Sequence, residues 1–191
     1  MPSSTIQLLQ LLCLVFALAY QPSQTNAATA PARLRGLAES SELIDVPASW
    51  KEDLLVAVNA ERAKEGLPPL CGNSYECNHR KLDSAAQRQS HDMATSNFLG
   101  HTGSDGSSLT TRIADEGFQW TAVAENVAGG QKSVAAVMQS WMSSPGHRMN
   151  ILGDYQYLGA DIAHTTTSEY NVYWTLTFGA SMSESCACML K

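Results

Sequence analysis

Two histidines and one glutamate lie in short, turn-rich stretches between longer apolar segments. His101 lies in GHTGSDG, Glu125 in AEN and His147 in SPGHRMN. Neutral imidazoles and carboxylates are ordinary ligands of zinc, and two histidines with one or two acids leave room for a bound water. A carboxylate beside a histidine also stabilises imidazolium, so the same residues are equally suited to a metal-free, hydrogen-bonded cluster.

The common catalytic signatures are missing from the sequence. It contains no G-x-S-x-G, no H-E-x-x-H and no P-loop pattern. The net charge is −6, and the lysines and arginines are scattered rather than gathered in a stripe. We therefore expect neither a nucleic acid nor an anionic membrane surface as the partner.

Cysteine use indicates an exported protein. Cys13 lies in the N-terminal apolar segment, and four cysteines follow it: Cys71, Cys77, Cys186 and Cys188. Four cysteines allow three connectivities, but a bridge between Cys186 and Cys188 would close a small, strained ring. We expect each of these two to bond to Cys71 or Cys77, which leaves no cysteine as a nucleophile. A zinc knot is the alternative.

The N-terminus is predicted to be a secretory signal peptide. Leu8–Ala19 is apolar except for Gln10, and it is shorter than the about 20 residues that span a bilayer. A membrane anchor or a buried helix is the alternative. No second apolar run of that length follows, so we expect no membrane span. The predicted organisation is a signal peptide over 1–27, a flexible leader over 28–48, a folded domain over 49–182 and a cysteine-containing tail over 183–191.

Helical periodicity dominates the first half of the folded domain. The first helix begins at Ser49, where Ser49 and Glu52 match the S-x-x-E capping box, and it ends at Gly66. The second helix runs from about residue 79 to residue 97, with Gly100 as its terminator. These two helices place the GHTGSDG stretch directly after a helix end.

The second half of the domain changes from helical periodicity to alternation. A short helix is expected over 109–117 and an amphipathic one over 134–142. Alternating apolar residues predict a half-buried strand over 171–178. A second strand is expected over 158–164, joined to it by a hairpin connection, and a third over 118–124. Helices followed by an antiparallel sheet are typical of an α+β fold with segregated layers.

Several segments resemble, in order and spacing, the cysteine-rich secretory, antigen 5 and pathogenesis-related (CAP or SCP) superfamily. They are SHDMATSNFLGHTGSDGSSLTTRIADEGF, AENVAGG, SWMSSPGHRMNIL, LGADIA and YWTLTFG, and the opening LVAVNAERAKEGLPPL is similar to the family's first helix. The resemblance covers roughly residues 50–180 and is to the small type common in bacteria and also found in fungi. It implies a three-layer α-β-α sandwich of the α+β class, with a central antiparallel sheet and a cleft.

In that family two histidines and two acids converge in the cleft. The resemblance implies His101, Glu125 and His147 as three members of this tetrad. Asp105 is the candidate for the fourth, although many members carry a glutamate at a slightly different distance after the first histidine. His101 and His147 are the implied holders of Zn²⁺ or another divalent cation.

The resemblance implies a secreted, extracellular binding protein rather than an enzyme. The implied partners are a sterol, a fatty acid, or a host or cell-surface protein. A metal-dependent hydrolase or peptidase is the alternative, with zinc on His101 and His147 activating water and Glu125 as general base. A third interpretation is an adhesion or effector module in which the tetrad only braces its loops. The oligomeric state stays open.

Overall fold

The computed structural model describes residues 46–72 and 80–185 of the 191-residue chain. The predicted signal peptide lies outside these ranges, as do Cys77, Cys186 and Cys188. The predictions for the signal peptide, the leader and the disulfide bridges therefore stay predictions. Within the described ranges, no helix combines the length and the apolar character that crossing a bilayer requires.

Five α-helices and four β-strands are present in the described part of the chain. The helices are α1 (Trp50–Lys64), α2 (Lys81–Ser96), α3 (Leu109–Asp115), α4 (Val134–Ser143) and α5 (Pro145–Ile151). The strands are β1 (Cys71–Gly72), β2 (Ala122–Gly129), β3 (Tyr157–His164) and β4 (Val172–Ala180). The four helices expected from apolar periodicity are confirmed, whereas α5 lies where the sequence indicated a turn.

The strands form one sheet in the order β1-β3-β4-β2. β4 is antiparallel to both β2 and β3, as the sequence predicts. β1 pairs with β3 in parallel through two residues only, so the sheet is mixed rather than purely antiparallel. A two-residue strand is too short to show any alternation in the sequence, which is why this strand was missed.

One face of the sheet packs against α1 and α4. The main core cluster joins residues of α1, α4 and α5 with the even-numbered residues of β3 and β4. Trp141 and Trp174 are fully or almost fully buried there, and the ring of Trp50 meets that of Trp174 edge to face with centroids 5.9 Å apart. Large apolar side chains on this face supply most of the hydrophobic stabilisation.

Helices α2 and α3 cover the opposite face. Leu82, Ile113 and Phe118 form a second apolar cluster there with Tyr157. Both faces of the sheet are therefore covered, which confirms the three-layer α-β-α arrangement. Every residue of β4 is buried, so the prediction of a half-buried strand is wrong, because the strand has a helical layer on each side.

Helix α2 approaches the sheet closely at Gly159. A Cβ at this position would collide with the backbone of Leu82 and Asp83. The hydroxyl of Thr177 donates to the carbonyl of Leu82 at 3.0 Å, and Asp83 accepts the N–H of Ala160 at 2.8 Å. This contact fixes the height of α2 above the sheet and hence the position of its later residues.

Two helix ends differ from the sequence predictions. The capping box at Ser49 is wrong: the hydroxyl makes no cap hydrogen bond and donates to Asp53 at 2.9 Å instead. Helix α2 ends at Ser96 because Asn97 takes a left-handed conformation with φ 53°, and its N–H donates to the carbonyl of Met93. Asparagine tolerates this conformation better than most residues, so the helix ends before Gly100.

Candidate functional site

The site lies on β2, which is at the edge of the sheet next to β4. Glu125 and Asn126 are adjacent there, so their side chains point to opposite faces of the sheet. The sequence placed Glu125 in a turn-rich segment and began a third strand at residue 118. That prediction is wrong, because β2 begins at Ala122 and pairs with β4 along eight residues, including Glu125 opposite Thr177.

Both carboxylate oxygens of Glu125 have partners. Oε1 lies 2.9 Å from Nδ1 of His101, and Oε2 accepts a hydrogen bond of 2.7 Å from Nη2 of Arg112. The side chain of Arg112 is 0% exposed and that of Glu125 only 2%. This is a buried, charge-assisted pair, a type of contact about twice as strong as one between neutral groups.

His101 lies at the boundary between this buried pair and solvent. Its side chain is 57% exposed. Its backbone is held from both sides, because Arg112 donates to the carbonyl of His101 at 3.2 Å and Gln89 donates to that of Gly100 at 2.7 Å. The hydrogen bond to Glu125 raises the pKa of His101 above its usual value.

His147 is positioned from the other side of β2. The side chain of Asn126, which is fully buried, donates to the carbonyl of His147 at 3.1 Å. Asn150 donates to the carbonyl of Glu125 at 3.2 Å and to the side chain of Asn126 at 2.9 Å. These bonds tie α5 to β2. His147 was predicted in a turn, but Pro145 begins a helix there, as proline often does.

The pKa of His147 depends on burial and on His101. Burial lowers the pKa of His147, and the charge of His101 lowers it further. The pKa of His101 is thus raised while that of His147 is lowered. The structure thus brings His101 and Glu125 into contact and places His147 within electrostatic range.

Asp105 has different partners. One carboxylate oxygen accepts the N–H of Ser107 at 2.8 Å, and the other accepts a hydrogen bond of 2.8 Å from Arg88. Hydrogen bonding to the side chain of Ser107, to Arg88 and to the backbone of Ser107 holds the pKa of Asp105 far below its usual range. None of the hydrogen bonds described for Asp105 reaches His101, Glu125 or His147, so its carboxylate braces the loop after His101.

Arg112 is the residue of this site that the sequence reading missed. It follows Leu109 by three residues and precedes Ile113, so it lies on the inward stripe of α3. A charged residue on an apolar helical stripe is rarely buried without a partner of opposite charge. A charged residue at that position of the stripe therefore indicates a buried acid nearby, and the sequence analysis did not use this signal.

The donor set does not fit a zinc site with three protein ligands. His101 and His147 offer two imidazoles, while both oxygens of Glu125 are already engaged. Within residues 46–72 and 80–185, no group of three or more His, Cys, Asp or Glu residues is placed to hold a metal ion. Catalytic zinc sites ordinarily use three protein ligands.

A separate hollow of about 620 Å³ lies at the junction of α4 and α5. Its wall includes Met142, Pro145, Met149 and Leu152, with Arg148 at the same site. Arg148 forms an ion pair with Glu65 of 2.7 Å. The hollow is open to solvent, and both apolar and polar groups line it.

Comparisons with known proteins find one matching family and two curated relatives. The model of the cysteine-rich secretory protein (CAP) family matches residues 55–178. The uncharacterized protein YkwD of Bacillus subtilis is 28% identical over 156 residues, which cover 81% of this chain and 56% of that protein. The uncharacterized membrane protein YlbC of the same bacterium is 26% identical over 113 residues, which cover 59% of this chain and 31% of that protein. The chain therefore spans about half, or less, of these curated relatives.

Solved structures share the fold. An extracellular SCP-domain protein from Bacillus anthracis superposes with a TM-score of 0.58 at 23% identity, over 69% of this chain and 40% of that one. An outer surface protein from Borrelia burgdorferi superposes with a TM-score of 0.58 at 21% identity, over 68% of this chain and 90% of that one. At such identities the likeness establishes the fold alone.

Proposed function

This chain belongs to the CAP family of cysteine-rich secretory proteins, and we propose that it is a secreted, non-enzymatic binding protein whose ligand contacts His101 and His147. One observation carries the proposal. Both oxygens of Glu125 are held by other side chains, whereas the ring of His101 is more than half exposed. Glu125 thus holds the ring of His101 by a hydrogen bond, and the exposed ring is the group that a ligand reaches.

Hydrolysis would require a different arrangement of Glu125. A general base needs a lone pair within reach of the water or substrate that it deprotonates. The side chain of Glu125 is 2% exposed, and the buried guanidinium of Arg112 lies 2.7 Å from its Oε2. Both of its oxygens are already engaged, one by His101 and the other by Arg112. This favours a binding protein over the alternative of a hydrolase or peptidase.

Zn²⁺ or another divalent cation is the cofactor that the hydrolase alternative would need. When bound, such an ion would polarise a water or a carbonyl group. His101 and His147 are the two expected ligands, and no group of three or more His, Cys, Asp or Glu among the described residues is placed to hold a metal ion. No step of the proposed binding function depends on the metal.

Secretion is part of the proposal. Residues 1–27 have the pattern of a signal peptide. Two proteins with the same fold are described as an extracellular protein and an outer surface protein. A host or cell-surface protein is accordingly a proposed partner, and its contact with the site would involve the exposed ring of His101.

Peptide hydrolysis is the first test. We expect the wild-type protein to release no fragments from a peptide library, with or without added Zn²⁺. Glu125→Gln is the matched variant, because it keeps the shape of the side chain and removes its charge. Hydrolysis by the wild type that disappears in Glu125→Gln would overturn the non-enzymatic assignment.

A lipid is the second candidate ligand, and the hollow between α4 and α5 favours it. Met142, Met149 and Leu152 provide an apolar wall for a sterol or for the chain of a fatty acid. Met149 is 70% exposed, so the free protein leaves apolar area open to solvent there. Covering that area with an apolar ligand is favourable by about 25 cal/mol per Å².

Equilibrium binding of a radiolabelled sterol and a radiolabelled fatty acid tests the lipid proposal. We expect saturable binding that Met149→Glu weakens, because the carboxylate would be desolvated by the ligand. Met182→Glu is the matched control, since Met182 is 92% exposed and does not line the hollow. Absence of saturable uptake of either lipid would rule out this ligand class.

A nuclear magnetic resonance (NMR) titration tests whether a ligand reaches the two histidines. The same fatty acid is added while the ring signals of His101, His147 and His164 are followed. His164 is exposed at the end of β3 and is the internal control. Shifts confined to His101 and His147 would support their role as contact residues. Saturable binding that moves neither ring would place the lipid elsewhere.

A further inference from the structure

We infer that Arg112 is a positioning residue that determines which ring nitrogen His101 presents to a ligand. The inference deepens the proposed function, since it concerns the same histidine. It rests on the contacts of Arg112 with both Glu125 and the backbone of His101.

One buried guanidinium holds two parts of the site. Its Nη2 donates to Oε2 of Glu125 at 2.7 Å, and its Nη1 donates to the carbonyl oxygens of His101 and Ser107, each at 3.2 Å. The planar fork of arginine keeps these directions fixed relative to one another. The acid and the main chain of the histidine are therefore positioned by the same side chain.

The remaining oxygen of Glu125 determines the state of the ring. Oε2 is occupied by Arg112, so Oε1 is the atom that meets Nδ1 of His101 at 2.9 Å. A carboxylate paired with a guanidinium only accepts hydrogen bonds, so Nδ1 must carry the hydrogen. In the neutral ring Nε2 then has a bare lone pair, and it points away from Glu125.

This state suits one class of ligand group. A neutral His101 offers an acceptor at Nε2, which fits a hydroxyl, an amide N–H or a protonated amine of a ligand. Without the bond from Arg112, Oε2 of Glu125 would be able to turn toward other donors. The ring would then sample both neutral tautomers and present a mixture of donor and acceptor.

The local structure of α3 supports a positioning role. Ser108 accepts the N–H of Thr111 at 3.1 Å and so fixes the start of the helix. Arg112 follows one turn later, on the side that carries Leu109 and Ile113. An apolar residue would suit this stripe equally well, and Nε of Arg112 is buried without a partner within the described residues. The guanidinium is thus explained by the site rather than by the packing of α3.

Long-range ¹H–¹⁵N correlation spectra of the histidine rings provide the test, because they distinguish the Nδ1–H and Nε2–H tautomers. We expect neutral His101 in the wild type to show the Nδ1–H pattern alone. In Arg112→Met we expect the Nε2–H pattern to appear. Arg112→Lys keeps the charge but lacks the fork, so we expect an intermediate mixture.

Arg88→Met is the matched control. Arg88 also pairs with carboxylates beside the same loop, those of Asp105 and Asp115, but it is exposed and does not contact Glu125. We expect the pattern of His101 to be unchanged in this variant. The rings of His147 and His164 serve as controls for general loss of structure.

Two results would overturn the inference. One is an Nε2–H pattern for neutral His101 in the wild type, a measurement that does not depend on any variant being folded. The other is an unchanged Nδ1–H pattern in folded Arg112→Met or Arg112→Lys. No ligand is added in these spectra, so failure of the proposed binding function would leave the tautomer result intact, and the reverse is also true.

Discussion

Glu125 and Asp161 are two buried carboxylates on the same face of the sheet, and their surroundings differ. Glu125 lies opposite Thr177 of β4, and Asp161 lies opposite Thr175, two residues away on that strand. Side chains two residues apart on one strand share a face. Each acid also has a histidine beside it, His101 in one case and His91 in the other.

The partners of the two acids are of different kinds. Glu125 has a fully buried guanidinium on one oxygen and an imidazole at 2.9 Å on the other. Asp161 accepts a hydrogen bond of 2.6 Å from the buried hydroxyl of Ser90, while His91 is 60% exposed and lies 3.6 Å away. Burial raises the pKa of Asp161, and the hydroxyl and the more distant charges only partly oppose this effect.

The difference shows that burial by itself does not determine how well the charged form of a carboxylate is stabilised. A buried acid is stabilised in its charged form by a cation that is also desolvated, and a neutral hydroxyl cannot replace that cation. The comparison separates an acid that is paired with a buried cation, Glu125, from an acid that accepts its hydrogen bond from a neutral hydroxyl, Asp161. Substitutions that remove charge should therefore have opposite effects at the two positions.

Arg112→Met should have the largest effect. It would leave Glu125 buried without its cation, and breaking a buried ion pair from one side costs about 3–5 kcal/mol of the free energy of unfolding. Urea unfolding monitored by circular dichroism measures it. Arg88→Met, at an exposed pair, should change the stability far less. Equal losses in the two variants would contradict the distinction between buried and exposed arginines.

Glu125→Gln should have the next largest effect. Glutamine keeps one acceptor but removes the charge that Arg112 requires, so we expect a loss of about 1.5–3 kcal/mol in the free energy of unfolding, the range for hydrogen bonds to charged groups. The same urea experiment applies. A variant as stable as the wild type would mean that the guanidinium does not need the carboxylate.

Asp161→Asn should have the opposite sign at neutral pH. Asparagine still accepts the hydrogen bond of Ser90 and carries no charge to desolvate. We expect an increase in the free energy of unfolding at pH 7 of up to about 1 kcal/mol, the size of a typical net hydrogen bond. A loss as large as that of Glu125→Gln would remove the contrast between the two acids.

The pH dependence of this gain follows from linkage. The folded-state pKa of Asp161 is raised, so its contribution to stability is fully present below the unfolded value of about 3.9 and is lost as the pH rises through the folded value. The advantage of Asp161→Asn should therefore vanish as the pH falls toward about 4. Unfolding curves at several pH values will show whether the two proteins converge.

The histidines should show the smallest effects. The pKa of His101 is raised, so its stabilising contribution is full below about pH 6.5 and is lost as the pH rises through the folded value. The pKa of His147 is lowered, so its contribution is present above about pH 6.5 and is lost as the pH falls through the folded value. NMR titration should place the two midpoints on opposite sides of about 6.5.

Glu125→Gln tests the cause of the raised pKa of His101. The hydrogen bond to Glu125 is the main reason why the pKa of His101 is raised, so the midpoint of His101 should fall in the variant. The ring signals of His91, which lies beside Asp161, should keep their wild-type chemical shifts at a fixed pH. A common shift of both histidines would indicate a general change in structure rather than loss of one bond.

Much of the architecture was predictable because it depends on local pattern. Apolar periodicity located α1, α2 and α4, alternation located β4, and the hairpin connection before β4 located β3. The family segments pointed to His101, Glu125 and His147, and two of these are in direct contact. The prediction was less accurate where structure depends on distant partners, as in β1, which exists only through its pairing with β3.

By itself the sequence determined the layers, the family and the types of side chain available to the site. Only the tertiary structure decided which charges meet. Arg112 and Glu125 are 13 residues apart, and their contact depends on how α3 lies against β2. Asp105 lies nearer to His101 in the chain but pairs with Arg88 of α2. The physical reason is that a charge is stabilised by what surrounds it in space, which strand register and helix packing determine and sequence distance does not.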